Sequence, residues 1–182
     1  FYDNRDHFLW LIRLHNLNVG KPAARVIKDL DLQKQLSERI TIADSKKAFY
    51  KAFPHIIPPV YRRVTDELLV ELHLLSHQKS FKPTAIFAVG LCKVFDSFTK
   101  GYKPEKHLKS LFNAICKSSG VDPILIREES RTTLEAIQNS SSDDIQSWFK
   151  NKGVGAPKKL ERELDQLAND ESYYSRLTAI GL

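Results

Sequence analysis

The stretch IPPVYRRVTDELLVELHLLSHQKSFKPTAIFAVGLCKVFDSFTKGYKPE, residues 57–105, decides the fold. Pro58 and Pro59 stand where a helix begins, because a proline in the first helical position loses no hydrogen bond. The apolar side chains that follow recur at steps of three and four, which places them on one helix face; they are Tyr61, Val64, Leu68, Leu72 and Leu75. Pro83 marks the start of a second helix. The stretch therefore predicts a central helical hairpin in an all-α, compact multi-helix bundle.

The second helix of this hairpin has an inward stripe and a glycine in its middle. The stripe consists of Phe87, Leu91, Val94 with Phe95, and Phe98. Gly101 follows as a residue suited to the left-handed conformation that ends many helices. Gly90 lies inside the helix, where glycine costs about 1 kcal/mol relative to alanine. We therefore expect another backbone to pass close to Gly90.

Short capping signals predict the helices around the hairpin. Thr41-Ile-Ala-Asp44 has the form of a capping box, and Pro54 ends the helix that it opens. Asp122-Pro123 is a strong helix start, and we expect the polar middle of that helix, residues 127–133, to face water. Ser142 caps a further short helix, and residues 152–159 form a loop. No stretch alternates apolar and polar residues as a strand does.

Four blocks of the sequence together resemble one protein family. They are PPVYRRVTDELLVELHLLSHQKSF, AIFAVGLCKVFDSFTKGYKPE, the start TIADSKKAFY at residue 41, and YSRLTAIGL at residues 174–182. The family that they resemble is the thylakoid formation protein family, the photosystem II biogenesis factors of cyanobacteria and plastids. The resemblance covers residues 40–182 and leaves residues 1–39 unexplained.

The resemblance implies a function in thylakoid membrane organisation and in photosystem II assembly or repair. It further implies cooperation with a membrane-bound FtsH-type protease, on the cytoplasmic side of the thylakoid membrane in a cyanobacterial cell or in the plastid stroma. The family continues beyond the YSRL…GL segment, and the sequence contains no methionine. We therefore expect this chain to be part of a longer protein, truncated at its C-terminus.

The totals place the chain among ordinary globular domains. Its 182 residues suffice for one domain with an appendage, here residues 40–182 and a helical extension 1–39. Cys92 and Cys116 lie among apolar helical residues, so we expect buried free thiols. No apolar run reaches the roughly 18 residues that a membrane span needs, and no signal peptide is visible. These features predict a soluble or peripheral protein.

The positive net charge admits contact with an anionic membrane or with nucleic acid. Residues 1–40 hold 7 basic and 5 acidic side chains, and the remainder holds 21 and 17. We interpret this as a surplus spread thinly over the surface. The alternative function is nucleic-acid binding through two short helices in residues 1–39, but that segment lacks a concentrated basic face, and we expect no nucleic acid.

The best candidate for a metal site fails on ligand number. Asp66, His73 and His77 share one helix stripe, but no second cluster supplies a fourth ligand, which favours solvated histidines. Glu67 and Glu71 are each interpreted as the acidic partner in an ion pair within the helix. Glu67 would pair with Arg63 at the i,i+4 spacing. No phosphate-binding glycine loop and no nucleophile motif is present. We therefore expect no enzymatic activity, no cofactor and no metal.

The remaining candidates are surface residues that could contact a partner. The loop from Thr99 to Glu105 carries Tyr102 beside Lys100 and Lys103, and it either exposes the tyrosine or folds it back onto the core. Tyr61, Arg62 and Arg63 form a second group. Arg176 is a third candidate. The six predicted partner-binding residues are Tyr61, Arg62, Arg63, Tyr102, Lys103 and Arg176. Their expected partner is a membrane-associated protein complex; the oligomeric state stays open.

Overall fold

The computed structural model describes residues 40–79, 81–169 and 174–182. Over these residues all regular secondary structure is helical, which confirms the predicted fold class. The α-helices are α1 (Ile42–Ala52), α2 (Pro59–Ser76), α3 (Ala85–Phe98), α4 (Leu108–Ser118), α5 (Pro123–Gln138), α6 (Ser142–Lys150), α7 (Lys158–Ala168) and α8 (Arg176–Gly181). A short 3-10 helix, Glu105–His107, precedes α4. The helical extension and the nucleic-acid segment predicted for residues 1–39 lie outside the described residues, and the division at residue 40 stays a prediction.

The helix starts follow the predicted caps closely. Thr41 and Asp44 form the capping box of α1, and Asp122 accepts hydrogen bonds from the first backbone N–H groups of α5. The start of α6 differs by one residue, because Ser141 is the cap and forms a capping box with Asp144. These caps satisfy donors that have no partner within the helix.

Helix α3 is the centre of the bundle. Every residue from Ala85 to Cys92 is buried, so this half of the helix is surrounded on all sides, beyond the single stripe that the sequence predicts. Its closest neighbours are α8 and α5, whereas α2 lies closest to α1 and α4. Side chains of α2 and α3 nevertheless share one core, which also takes Phe49 from α1 and Leu111 from α4. A smaller core around Trp148 and Leu160 joins α6 and α7 to Ile86.

Two glycines allow the backbones of α3 and α8 to touch. A Cβ atom on Gly90 would lie 1.8 Å from the carbonyl oxygen of Leu177, and one on Gly181 would lie 1.9 Å from that of Ile86. Both distances are far inside van der Waals contact, so neither position accepts a side chain without displacement of a backbone. The close approach expected at Gly90 is therefore confirmed, and the backbone that it meets is that of α8.

The polar middle of α5 does not simply face water, contrary to expectation. Ser130 and Thr133 are buried, because α5 packs along α3. The guanidinium of Arg127 lies over the ring of Phe112, 4.1 Å from its centroid, and donates two hydrogen bonds of 3.0 Å to Asp96. The apolar Leu125, in contrast, is 53% exposed. The helix therefore uses polar contacts at the core and leaves an apolar residue outside.

Both cysteines are free and buried, as predicted. Burial raises the pKa of the Cys92 thiol, and burial together with the neighbouring Cys92 raises the pKa of Cys116 to about 12. Both thiols therefore stay protonated and act as small apolar groups. Among the described helices, none is long and apolar enough to cross a membrane.

Candidate partner-binding groove

A surface groove lies between helix α2 and the residues that lead into α8. It has a volume of about 640 Å³. The α2 wall presents Val70, Glu71 and Leu74, and the opposite wall presents Tyr174 and Arg176. Lys46 of α1 also lines the groove, with its ammonium 3.5 Å from the carboxylate of Asp66. We call this feature the α2–α8 groove.

An ion pair joins the two walls of the groove. Arg176 Nη2 donates a hydrogen bond of 2.6 Å to Glu71 Oε2. The Arg176 side chain is 65% exposed and that of Glu71 is 17% exposed, so the arginine remains open to a second partner. Glu71, which the sequence placed in an ion pair within its own helix, is therefore paired across the fold.

The position of Arg176 is fixed by the packing of the helix that it begins. Ser175 caps α8 by accepting a hydrogen bond from the backbone N–H of Thr178, and both residues are buried. The next residue after Arg176, Leu177, is fully buried against α3. The glycine contacts hold α8 on α3, so the backbone that carries the Arg176 side chain is fixed. Because this backbone is already ordered, only the Arg176 side chain loses conformational entropy when it binds a partner.

The groove combines apolar surface with charges at its border. Leu74 is 52% exposed and Tyr174 is 61% exposed, although each adjoins buried neighbours. The charges are Lys46, Asp66, Glu67, Glu71 and Arg176. An apolar centre with a polar border is typical of protein interfaces. The sequence does not identify Leu74 as a surface residue, because its spacing continues the apolar pattern of α2, and no local signal identifies Lys46.

Of the predicted residues, Tyr61 and Tyr102 come together, and the half-buried Tyr61 packs against the core that contains Tyr102. Their ring centroids are 5.1 Å apart. Tyr102 is only 1% exposed, so the interpretation that the loop exposes it is wrong, and the alternative that it folds onto the core is correct. Burial and the neighbouring Tyr61 raise the pKa of its hydroxyl. Tyr102 therefore cannot contact a partner in this conformation.

The predicted basic residues lie on the surface in different settings. Arg63 pairs with Glu67 at 3.0 Å, as predicted, and Lys103 pairs with Glu105 at 2.6 Å. Arg62 is exposed and forms no ion pair with another residue in the described part of the chain. Of these basic residues only Arg176 lines the α2–α8 groove, and Arg63 is connected to it through Glu67, which also lines the groove.

His73 and His77 are not both solvated, contrary to expectation. His73 is buried, and its Nδ1 lies 2.9 Å from the hydroxyl oxygen of Ser45 in α1. Burial, assisted by the neighbouring His77, lowers the pKa of His73. The carboxylate of Asp66 forms an ion pair with Lys46 and not with the imidazoles. Within the described ranges, no group of three or more His, Cys, Asp or Glu side chains is arranged to hold a metal ion.

Comparison with known proteins shows similarity to one family. Residues 41–182 match the sequence profile of a family described as thylakoid formation protein. Protein Thf1 of Prochlorococcus marinus (strain MIT 9313) is 53% identical over 148 residues, which cover 81% of this chain and 61% of that protein. Protein Thf1 of Synechococcus sp. (strain CC9902) is 50% identical over 147 residues, which cover 81% of this chain and 62% of that protein. The chain thus spans about three fifths of the length of these relatives.

A solved structure shares the helical fold. The protein Psb29, solved at 1.55 Å, is 34% identical in sequence and superposes with a TM-score of 0.65. The superposition covers 78% of this chain and 72% of the Psb29 chain. The groove and all six predicted residues lie inside the range that matches the family.

Proposed function

The chain belongs to the thylakoid formation protein family, and we propose that it is a non-enzymatic factor of thylakoid membrane organisation and photosystem II biogenesis and repair. It acts by binding, and the observation that carries this proposal is the α2–α8 groove. The groove presents exposed apolar side chains on a rigid base, bordered by charges of both signs. This arrangement is suited to recognition of a macromolecule rather than to acid–base or nucleophilic chemistry.

The partner that we propose is a membrane-associated protein complex. An FtsH-type protease, or an assembly intermediate of photosystem II, fits the role that the family resemblance implies. Leu74 and Tyr174 would form the apolar centre of the contact, and Arg176 would add a charged hydrogen bond at its border. Aromatic and arginine side chains dominate the binding energy of many interfaces.

The proposed location is the cytoplasmic or stromal surface of the thylakoid membrane, where the protein is peripheral. Basic side chains near an anionic bilayer each contribute about 1 kcal/mol of attraction. Weak attraction of this kind would concentrate the protein where its membrane-embedded partners lie. A partner complex would then supply the specificity that lipid charge alone does not give.

A pull-down from detergent-solubilised thylakoids tests the proposal. The wild-type chain should retain an FtsH-type protease or photosystem II assembly proteins, identified by mass spectrometry, and the double variant Leu74→Ala with Tyr174→Ala should not. Ile124→Ala with Val154→Ala is the matched control, because these side chains are also exposed but lie outside the groove. Equal retention by all three proteins would contradict the groove as the binding site. Deletion of residues 1–39 from each protein tests the contribution of that segment.

A charge exchange separates a structural from a binding role for Arg176. Arg176→Glu alone breaks the pair with Glu71, and adding Glu71→Arg restores an ion pair of opposite direction. If Arg176 only positions α8, the exchange should restore partner binding. If Arg176 contacts the partner, binding should stay lost although the stability to urea recovers. The second result is the one that we expect.

A further inference from the structure

Four helix ends meet at one end of the bundle. Residues 53–58 connect the end of α1 to the start of α2, and residues 99–107 connect the end of α3 to the start of α4. The imidazole rings of His55 and His107 stack with their centroids 3.9 Å apart, and the rings of Tyr61 and Tyr102 are 5.1 Å apart. These contacts place the two connections side by side. We call residues 53–63 and 99–110 together the basic end.

The basic end holds the whole positive surplus of residues 41–182. Its two segments contain six Lys and Arg side chains and a single acidic one, Glu105. The rest of residues 41–182 contains 15 basic and 16 acidic side chains. The positive surplus is therefore concentrated at the basic end, contrary to the thin spread that was expected from the sequence. It is divided between two segments that are distant in sequence and adjacent in the fold.

Most of this charge is not neutralised inside the protein. Arg63 and Lys103 have carboxylate partners. The other four basic side chains are exposed, and none of them forms an ion pair with another described residue; they are Arg62, Lys100, Lys106 and Lys109. Such charges remain available to an anionic surface.

Two aliphatic side chains project from the same end. Ile56 is 89% exposed and Val60 is 73% exposed. Ile56 has the largest exposed fraction among the large apolar side chains of the described residues. Pro58 fixes the backbone after it, and Ile57 beside it is 3% exposed and belongs to the core. The exposed position of Ile56 is thus held by its surroundings.

We propose that the basic end docks on an anionic lipid bilayer, with Ile56 and Val60 inserted at the level of the headgroups. The four unpaired basic side chains would then lie close to the lipid phosphates, where each is attracted to the negative surface potential. Apolar side chains beside basic ones are the combination that interfacial binding uses. A nucleic acid would use the same charges but would leave both aliphatic side chains in water, so the bilayer accounts for more of the surface.

This docking leaves the α2–α8 groove accessible. Val60 lies in the first turn of α2 and Leu74 lies 14 residues later, about 20 Å along the helix axis at 1.5 Å per residue. A protein that stands on its basic end would therefore present the groove above the headgroups. The inference rests on the membrane-peripheral part of the proposed function and adds the face and the orientation.

Vesicle sedimentation of the whole chain tests the charges. The probes are phosphatidylcholine vesicles with and without phosphatidylglycerol, at low salt and at about 0.15 M. The test variant replaces the four unpaired residues: Arg62→Gln, Lys100→Gln, Lys106→Gln and Lys109→Gln. The control removes the same charge from exposed lysines outside the basic end: Lys79→Gln, Lys82→Gln, Lys117→Gln and Lys150→Gln. Each charge near the bilayer contributes about fivefold, so the test variant should bind the anionic vesicles at least a hundredfold more weakly than the control.

Removal of the aliphatic side chains tests insertion. Ile56→Ser with Val60→Ser should weaken binding to the anionic vesicles by roughly tenfold per residue, and this loss should persist at the higher salt concentration. Val154→Ser is the control, because Val154 is 64% exposed and lies outside the basic end. Thermal unfolding followed by circular dichroism should be unchanged in all of these proteins, since the exposed side chains contribute little to the core.

Three results would overturn the inference. If the wild-type chain does not sediment with anionic vesicles, the docking surface and the peripheral location both fail. If the test and control variants lose binding equally, the assignment to the basic end fails while the proposed function stands. If the wild-type chain binds duplex DNA in preference to the vesicles and the test variant loses that binding, the surface is a nucleic-acid site instead.

Discussion

Gly90→Ala should destabilise the protein, although this change stabilises most helices. In an ordinary helix the substitution gains about 1 kcal/mol. Here the new Cβ would lie 1.8 Å from the carbonyl oxygen of Leu177, and ordinary contact begins at 3.4 Å. The obstacle is backbone, so no side-chain rotation relieves it, and α8 must move by more than 1 Å or α3 must bend. Such a shift disturbs the fully buried Leu177.

The expected magnitude follows from these opposing effects. Overpacking and partial loss of the Leu177 contacts together cost about 3 kcal/mol, and the gain in helix propensity offsets about 1 kcal/mol. The free energy of unfolding should therefore fall by about 2 kcal/mol, measured by urea unfolding with far-ultraviolet circular dichroism. Lys93→Ala, an exposed change in the same helix, should stay within about 0.5 kcal/mol of wild type. A Gly90→Ala protein as stable as this control would refute the reasoning.

Three further predictions concern buried groups. In the native protein Cys92 and Cys116 should resist an aromatic disulfide reagent at pH 8 and react in urea, because both thiols are buried and burial raises the pKa of each. The Cys116 thiol, with a pKa of about 12, is ionised to about one part in ten thousand at that pH; rapid native labelling would contradict this prediction. Because the native pKa of His73 is lowered, the unfolded chain takes up that proton first, so stability should fall as the pH drops below about 6.5 until the native pKa is passed, and His73→Asn should flatten this decline in urea titrations; parallel declines would show another cause. The buried Tyr102 hydroxyl has no hydrogen-bond partner among the described residues, so Tyr102→Phe should keep the stability or raise it by about 1 kcal/mol and leave the pull-down unchanged; loss of partner binding would return Tyr102 to the binding surface.

The sequence predicts those parts of the fold that depend on neighbouring residues. The capping box of Thr41 and Asp44 is complete within four residues, and the helix start at Asp122-Pro123 needs only those two. The apolar stripe of α2 likewise follows from helical spacing. These signals act locally, so the helix boundaries and the all-α class could be predicted without knowledge of the packing.

The sequence does not predict which distant residues meet. Gly90 indicated that some backbone comes close, but nothing in its surroundings identified Leu177 as the neighbour. Glu163 in α7 is a second case: its carboxylate accepts hydrogen bonds from the backbone N–H groups of Ala85 and Ile86 at 2.8 and 3.1 Å. The Glu163 carboxylate supplements the cap that Thr84 provides at the start of α3. It also connects α7 to α3, although Glu163 is 78 residues from Ala85 and 77 residues from Ile86 in the sequence. A glutamate in an amphipathic helix gives no sign of this role until the fold is known.

The two candidate surfaces could not be predicted from the sequence for the same reason, because each is formed by residues that are distant in sequence. The groove needs Tyr174 beside Leu74, and the basic end needs residues 99–110 beside residues 53–63. Helix α2 belongs to both surfaces, since its first turn lies at the basic end and its second half forms a wall of the groove. If both proposals hold, α2 sets the height of the partner above the bilayer. Changes that shift α2 along its axis would then alter partner binding on membranes more than partner binding in detergent.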